Sequence, residues 1–406
     1  MKKIIIIISI LCIVPSIAFA FWWNQFSWNI FSIFNTNNEI HVNSTTDVSD
    51  EIEAEVSSTE KIVGMTENNT SDKITNRIQK MSLEEKIGQI FLVGIFTDDS
   101  NATLEKIITD KKIGSVILMN QNIKNKKVVD ITKHLQNVAS STHQPPLLIS
   151  VDQEGGIVSR ITDPDSNLTS QPEINDSTHA YNVALARGKE LHTKGINVNF
   201  APVLEYITKP SSFLYYRVFR GSKENVTTYG ENMVRGYQDA GIAATVKHFP
   251  GHDDTSVDSH KNLPISTIDK EGLPEYMSIF KTVIEKEKPM MVMTAHVLFS
   301  KIDPIYPATL SPVFIEILRD DYNYDGIVIT DDMNMGAITK NFGVEKSVIQ
   351  AINAGNDILL YVAPVETIEK AYTTVLNAVK DGYITEERID SSVYRVLKLK
   401  EKLQIK

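Results

Sequence analysis

Short apolar runs alternate with longer helix-like segments from residue 76 to the end of the chain, and this alternation constrains the fold most strongly. The apolar runs predict buried strands at residues 90–96, 115–119, 147–151, 197–203, 243–249, 290–295, 327–330 and 357–362. Helices are predicted at residues 103–111, 127–140, 181–194, 225–240, 270–286, 311–321, 343–354, 366–380 and 386–402, after a capping box that begins at Ser82. Eight strands that are each followed by a helix predict an α/β fold, a (β/α)8 barrel. A doubly wound open sheet is the alternative, but the glycine-rich phosphate turn typical of that fold does not follow the first strand.

The N-terminus has the three parts of a bacterial export signal. Lys2 and Lys3 precede an apolar run at residues 4–13, and the small-x-small sequence Ala18-Phe19-Ala20 follows it. This pattern predicts a signal peptide over residues 1–20 and an exported protein. An uncleaved membrane anchor is the alternative, because aromatic residues at positions 21–34 favour membrane interfaces.

Residues 21–72 are predicted to be an aromatic stretch followed by a polar linker, so a single catalytic domain is expected at residues 73–406. The formal net charge of −10, with no cluster of Lys and Arg, excludes a nucleic-acid-binding protein. Cys12 is the only cysteine, so no disulfide can form within the chain. We expect a monomer.

Polar and charged side chains follow most of the predicted strands directly. Because the carboxyl ends of all strands meet at one face of such a barrel, these side chains predict an active site there. The residues are Asp152, Glu154, Glu205, Lys247, His248, His296, Asp331 and Asp332.

Asp331 directly follows the seventh predicted strand, so its carboxylate either caps the next turn or points into the pocket. Asp332 can serve as the cap and leave Asp331 free. A free carboxylate there can attack an anomeric carbon or stabilise an oxocarbenium ion.

The loop at residues 247–264 carries both histidines and aspartates. Asp258 and His260 can lie on one side of an extended loop, where the carboxylate orients the imidazole for proton transfer. A surface ion pair is the simpler interpretation. A metal site is a rival, and its possible ligands are His248, His252, Asp253, Asp254, Asp258 and His260. His248 and His252 have the spacing of a zinc motif on a helix, but Pro250 and Gly251 between them prevent that helix. We therefore predict no metal and no cofactor.

The segment Asp152–Gly156 and the nearby Arg160 follow the third strand. Asp152 and Arg160 can bind neighbouring hydroxyl groups of a sugar, and the paired glycines permit a close approach of the backbone to a ligand. An ordinary turn with a weak salt bridge is the alternative.

Together these stretches resemble glycoside hydrolase family 3, in its β-N-acetylglucosaminidase branch. The similar segments are 151–156, 199–203, 247–264, 293–296 and 325–335. The resemblance implies a retaining exo-β-N-acetylglucosaminidase that acts on peptidoglycan fragments or chito-oligosaccharides. It implies that Asp331 is the nucleophile and that His260, paired with Asp258 on a mobile loop, is the acid/base. It also implies a set of sugar-binding residues: Asp152, Arg160, Arg217, Lys247 and His248.

The chain departs from the family pattern at Asp253, Ile157 and Glu205, where glycine, arginine and aspartate are usual, and residues 206–215 are unlike the family. The alternatives are a β-glucosidase or β-xylosidase of the same family, an N-acetylglucosaminide phosphorylase, and a non-catalytic wall-binding relative. The glycosidases and the phosphorylase would share the barrel fold. The wall-binding relative would keep the barrel and lack catalytic activity.

Overall fold

The computed structural model describes residues 70–95, 100–124, 126–252, 255 and 257–405. The predicted signal peptide and most of the predicted linker lie outside the described residues. A helix covers residues 70–78, so the last three residues assigned to the linker are helical. Within the described ranges, no helix is long and apolar enough to cross a membrane.

Eight parallel strands form one sheet in the order β10-β1-β2-β3-β4-β5-β7-β9. An isolated bridge between Ile329 and Ile358 joins the two outer strands, so the sheet curls into a barrel. The predicted barrel is confirmed, and the doubly wound alternative is wrong. The strands are β1 Phe91–Gly94, β2 Ser115–Ile117, β3 Leu148–Val151, β4 Val198–Asn199, β5 Ala243–Phe249, β7 Met291–Thr294, β9 Ile327–Thr330 and β10 Leu359–Val362. A separate small pair, β6 Ile265–Ser266 and β8 Leu298–Phe299, lies outside the barrel sheet.

The predicted fourth strand is shorter than expected. Regular pairing covers only Val198–Asn199, and Val203 rejoins the sheet through an isolated bridge to Lys247. Pro202 lies between them and has no N–H to donate, which explains the interruption of the ladder.

Helices cover the outside of the barrel. The capping box is confirmed, because the Ser82 hydroxyl accepts from the Glu85 N–H while the Glu85 carboxylate accepts from the Ser82 N–H. The predicted helix at 270–286 is broken at Met277, and that at 311–321 widens into a π-helical turn at Ile317–Asp321. The other helices are Leu83–Gln89, Ser100–Lys111, Asn120–Ile123, Val128–Ser141, Ser177–Thr193, Lys223–Asp239, Leu273–Tyr276, Ser278–Glu287, Pro312–Glu316, Gly336–Thr339, Gly343–Ala354, Val365–Lys380 and Glu386–Lys402.

Alternate residues of each strand pack into two different cores, as the two-residue period of a strand requires. One set packs together inside the barrel, and it includes Leu92, Ile117, Met291 and Ile327. The other set packs against the helices. Because the interior is filled with apolar side chains, the polar residues at the strand ends are left at the carboxyl face of the barrel.

Candidate active site

The ends of β3 and β5 bring a buried lysine between two carboxylates. Lys247 Nζ lies 2.9 Å from Asp152 Oδ1 and 2.6 Å from Glu154 Oε1. Burial alone would lower the pKa of the Lys247 ammonium, but the charges of Asp152 and Glu154 outweigh burial and raise it. Lys247 is therefore a fixed cation at the base of the site.

Arg217 joins the same cluster from the segment after β4. Its Nε and Nη2 atoms lie 2.9 and 2.8 Å from the two carboxylate oxygens of Glu154, a bidentate pair. Burial would raise the pKa of the Glu154 carboxyl, but Arg217 and Lys247 together lower it to about 2. Glu154 thus remains ionised between two cations. The structure places Arg217 in the site although the segment before it is unlike the family.

Arg160 lies at the edge of this cluster, with Nη2 3.5 Å from Asp152 Oδ2. The Gln153 side chain holds the backbone of this turn, because its Oε1 accepts from the N–H groups of Arg160 and Ile161. Arg160 and Asp152 therefore lie together, as predicted.

The paired glycines of this turn allow close packing against another segment of the chain. Gly155 has φ +95°, and an added Cβ would lie 2.1 Å from the Thr169 carbonyl oxygen; one on Gly156 would lie 2.6 Å from Ser170 Cβ. We expected the glycines to permit a close approach to a ligand. The structure shows instead that they permit a close approach to residues 169–170.

His248 is held at the end of β5 by Glu205. One carboxylate oxygen, Glu205 Oε1, accepts from the His248 backbone N–H at 2.8 Å and lies 2.9 Å from the ring Nδ1. This contact leaves Nε2 as the ring atom available to the pocket. The other oxygen of Glu205 has no hydrogen-bond donor within the described part of the chain.

His252 packs beside His248, with the ring centroids 5.7 Å apart at nearly right angles. It is buried, and its pKa is lowered to about 3, mainly by burial and then by the neighbouring His248. His252 is therefore a neutral wall of the site at physiological pH.

Asp331 extends from β9 toward the same cluster. Its backbone N–H donates to the Thr294 carbonyl, and its Oδ1 accepts from the Asp332 N–H at 2.8 Å. Burial would raise the pKa of the Asp331 carboxyl, but His248, His296 and that N–H lower it well below its usual range. The carboxylate is therefore ionised, which nucleophilic attack requires.

Asp332 has a structural role in the segment after β9. Its Oδ1 accepts from the backbone N–H groups of Asn334 and Val362, both at 2.9 Å, so it ties the segment after β9 to β10. Asp332 caps a turn rather than the following helix. Burial raises its pKa to about 7, with Asp331 adding to the effect.

Asp258 and His260 form the predicted pair on a loop of residues 257–262, which we call the acid/base loop after the role predicted for it. Asp258 Oδ1 accepts from the His260 backbone N–H at 3.0 Å and lies 2.9 Å from the ring Nδ1. The His260 side chain is 63% exposed and that of Asp258 28%. Burial would raise the pKa of Asp258, but its contacts with His260 lower it. The contact at Nδ1 leaves Nε2 as the ring atom that is open to a substrate.

Comparison with known proteins identifies the family and supports the fold. Residues 82–399 match the family described as Glycosyl hydrolase family 3 N terminal domain. The chain belongs to glycosyl hydrolase family 3. The match covers every barrel strand and each of the predicted site residues.

Two similar curated proteins are beta-hexosaminidases. Beta-hexosaminidase A of Pseudoalteromonas piscicida is 34% identical over 330 residues, which is 74% of this chain and 55% of the relative. Beta-hexosaminidase LpqI of Mycobacterium tuberculosis is 28% identical over 79% of this chain and 83% of its own length. The chain thus spans little more than half of the first relative and most of the second.

Solved structures give the same result. The family 3 beta-N-acetylglucosaminidase of Paenibacillus sp. str. FPU-7 superposes with a TM-score of 0.75 at 39% identity, over 80% of this chain and 63% of that one. The structure of M. tuberculosis LpqI superposes with a TM-score of 0.70 at 27% identity, over 79% and 94% of the two chains.

The site also contains three residues that were predicted to lie at this face but had no specific role assigned to them. Glu154, Glu205 and His296 organise the predicted residues, and His296 does so by contacting the Asp332 carbonyl oxygen at 3.0 Å. Their position directly after strands was the available signal. Asp253 and Asp254, which we weighed as metal ligands, lie outside the described residues. Among the described ones, no group of three or more His, Cys, Asp or Glu side chains is arranged to hold a metal ion.

Proposed function

We propose that this family 3 protein is a retaining exo-β-N-acetylglucosaminidase. The observation that carries the proposal is the presence of two chemical units at one barrel face: the ionised Asp331, and the His260–Asp258 pair on a loop whose backbone contacts the segment after Asp331. A nucleophile and a proton donor are the two groups that retaining hydrolysis needs. The names of the relatives support N-acetylglucosamine as the sugar.

In the first step, the Asp331 carboxylate attacks the anomeric carbon and forms a glycosyl ester. His260 donates its proton to the glycosidic oxygen as the bond to the leaving group breaks, so the leaving group departs as an alcohol. In the second step, water attacks the anomeric carbon, the now neutral His260 accepts its proton, and the Asp331 carboxylate is released. Asp258 acts by orienting the imidazole through Nδ1.

Sugar binding is proposed for the charged cluster beside Asp331. Asp152 and Arg160 present an acceptor and a donor to neighbouring hydroxyl groups, and Lys247 and His248 add donors from β5. Arg217 takes part through the portion of its guanidinium that does not contact Glu154. Each of these groups is already held by a charged neighbour in the site, so little rearrangement is needed when a sugar binds.

The proposed substrates are peptidoglycan fragments or chito-oligosaccharides with a terminal, non-reducing N-acetylglucosamine. We further propose that the protein is exported, either cleaved after Ala20 or retained through its N-terminal segment, because the charged, apolar and small-x-small parts of a signal are all present. N-terminal sequencing of the protein recovered from the cell envelope distinguishes the two forms.

Replacement of the nucleophile tests the activity. Asp331→Ala should abolish release of the phenol from an aryl β-N-acetylglucosaminide, a loss of at least about 10³-fold in kcat/KM. Asp381→Ala, which changes an exposed aspartate after a distant helix, should leave the rate unchanged. An unchanged rate for Asp331→Ala, or a faster wild-type rate on the aryl β-glucoside, would overturn the assignment. Binding of chito-oligosaccharides without any turnover would favour the non-catalytic alternative.

Phosphorolysis is a second candidate, and the histidine acid/base favours it. After giving up its proton, His260 is neutral, whereas a glutamate in the same role would be anionic. Phosphate can therefore approach the glycosyl ester without repulsion from that group. Phosphate should then raise the turnover rate and yield N-acetylglucosamine 1-phosphate. If neither effect occurs, hydrolysis alone remains.

A further inference from the structure

The short helix Gly336–Thr339 begins five residues after Asp331 and has no cap of its own. Its N-cap residue is Met335, whose side chain makes no capping hydrogen bond. The first N–H groups of a helix need partners outside the helix. Here the acid/base loop supplies them: Gly336 N–H donates to the His260 carbonyl and Ala337 N–H to the Ser259 carbonyl, both at 3.1 Å.

A third contact comes from the end of the same segment. The exposed Lys340 extends its Nζ to within 2.6 Å of the Lys261 carbonyl oxygen. Three consecutive carbonyl groups of the loop therefore have donors in residues 335–340, which we call the docking segment. The contacts are to the backbone that carries His260, so they fix its position without occupying its ring.

Gly336 is required at the point of closest approach. An added Cβ would lie 2.6 Å from the Lys261 carbonyl oxygen and 2.8 Å from that of His260. Real Cβ atoms do not approach backbone that closely, so a larger residue must push the loop away. The requirement concerns space, because Gly336 does not have a positive φ.

The residues just before the docking segment are held firmly. Asp332 accepts from two backbone N–H groups, and the Asn334 side chain donates to the Val362 carbonyl at 3.1 Å. On the other side, the loop is closed into a turn by the N–H groups of Lys261 and Asn262, which both donate to the Asp258 carbonyl. Two ordered pieces thus meet at the docking contacts.

We propose that the docking segment sets the position of the acid/base, and that Gly336 and Lys340 are positioning residues for His260. This inference rests on the proposed function. The segment that follows the nucleophile also contacts the loop that carries the proton donor. One structural unit therefore positions both groups. When the loop leaves, the N–H groups of Gly336 and Ala337 lose their partners, and the docked state is favoured accordingly.

Leaving groups of different basicity test the inference in the whole protein. For a saccharide such as chitobiose, Gly336→Ala should lower kcat/KM by about 10- to 100-fold, and Lys340→Met by about 3- to 10-fold, because departure needs the His260 proton. For 2,4-dinitrophenyl β-N-acetylglucosaminide, both variants should stay within about twofold of wild type, because that leaving group departs without protonation. kcat/KM is used because it reports the first step alone.

Matched variants separate positioning from general damage. Gly272→Ala adds a Cβ that meets only ordinary contacts, the nearest at 3.4 Å, and Lys133→Met removes an exposed lysine from a distant helix. Neither should change either rate, and Lys340→Arg should restore the loss caused by Lys340→Met. Equal losses on both substrates, or no loss on chitobiose, would overturn the inference. If Gly336→Ala does not fold, the rates of Lys340→Met and Lys340→Arg on the two substrates test the inference. A wild-type protein inactive on the dinitrophenyl substrate would instead refute the proposed function.

Discussion

Glu154 and Arg217 are 63 residues apart in the chain and form a bidentate ion pair in the site. The same Glu154 carboxylate lies 2.6 Å from Lys247 Nζ. One buried carboxylate thus lies between two cations that would otherwise repel each other more strongly. We expect this arrangement to stabilise the proposed sugar site.

Glu154→Gln should destabilise the protein, because Arg217 and Lys247 then remain buried with one compensating charge fewer. Breaking a buried pair in this way costs about 3 kcal/mol in the free energy of unfolding. Urea denaturation at pH 7 measures it. Glu401→Gln, which removes an exposed pair with Lys73, should cost less than about 1 kcal/mol. Similar losses for the two variants would contradict this account.

The contribution of Glu154 should depend on pH. Its pKa is about 2 in the folded protein and 4.5 ordinarily, so its stabilising effect is present above pH 4.5 and is lost as the pH falls toward 2. The unfolding free energies of wild type and Glu154→Gln should therefore converge as the pH is lowered through this range. A constant difference between them would contradict the assigned charge.

His252 should make the protein less stable in weak acid. Its pKa is lowered from 6.5 to about 3. Below pH 6.5, His252 therefore binds a proton in the unfolded chain but stays neutral in the folded protein until the pH approaches 3. This group alone should reduce the free energy of unfolding by about 2 kcal/mol between pH 7 and pH 5. Denaturation of wild type and His252→Asn at both pH values measures the effect. The variant should lose correspondingly less, and an equal loss would exclude His252 as the source.

Asp258→Asn should impair proton transfer while it keeps the loop in place, because an amide oxygen can still accept from the His260 N–H. The loss of charge removes the ion pair between Asp258 and His260 Nδ1 that orients the imidazole. We expect kcat/KM to fall by about 100-fold for chitobiose and by much less for the dinitrophenyl substrate. Asp258→Ala, which also removes the oxygen, should be worse on chitobiose. A variant equally slow on both substrates would argue against the role of Asp258.

Glu205→Asp should weaken sugar binding, although aspartate is usual in the family at this position. The shorter side chain cannot reach both the backbone N–H and Nδ1 of His248 from its present backbone position. We expect KM for an aryl β-N-acetylglucosaminide to rise by about tenfold. Glu205→Gln keeps the length and the oxygen acceptor, so it should raise KM less. The reverse order of the two variants would show that charge, and not reach, is what matters.

The barrel could be predicted because each strand and helix has a local sequence signal, such as an apolar run or the capping box at Ser82. The Asp258–His260 pair could be predicted for the same reason, since its members are two residues apart. The central place of Glu154 could not, because Arg217 comes to it from a distant segment whose local sequence is unusual. The docking of the acid/base loop on Gly336 likewise depends on a tertiary approach that leaves no periodic pattern in the chain.

Side chains complete the junction between β9 and β10. Among the described residues, the one ladder pairing recorded between these segments is the bridge at Ile329 and Ile358, and single backbone hydrogen bonds, such as that from Met333 N–H to the Leu360 carbonyl, add to it. The Thr330, Asp332 and Asp357 side chains accept from the N–H groups of Leu360, Val362 and Val328. A local opening of the barrel should therefore begin at this seam. Its amide hydrogens should exchange with solvent sooner than those between β1 and β2. The strand that leads to Asp331 therefore borders the part of the barrel that is expected to open first.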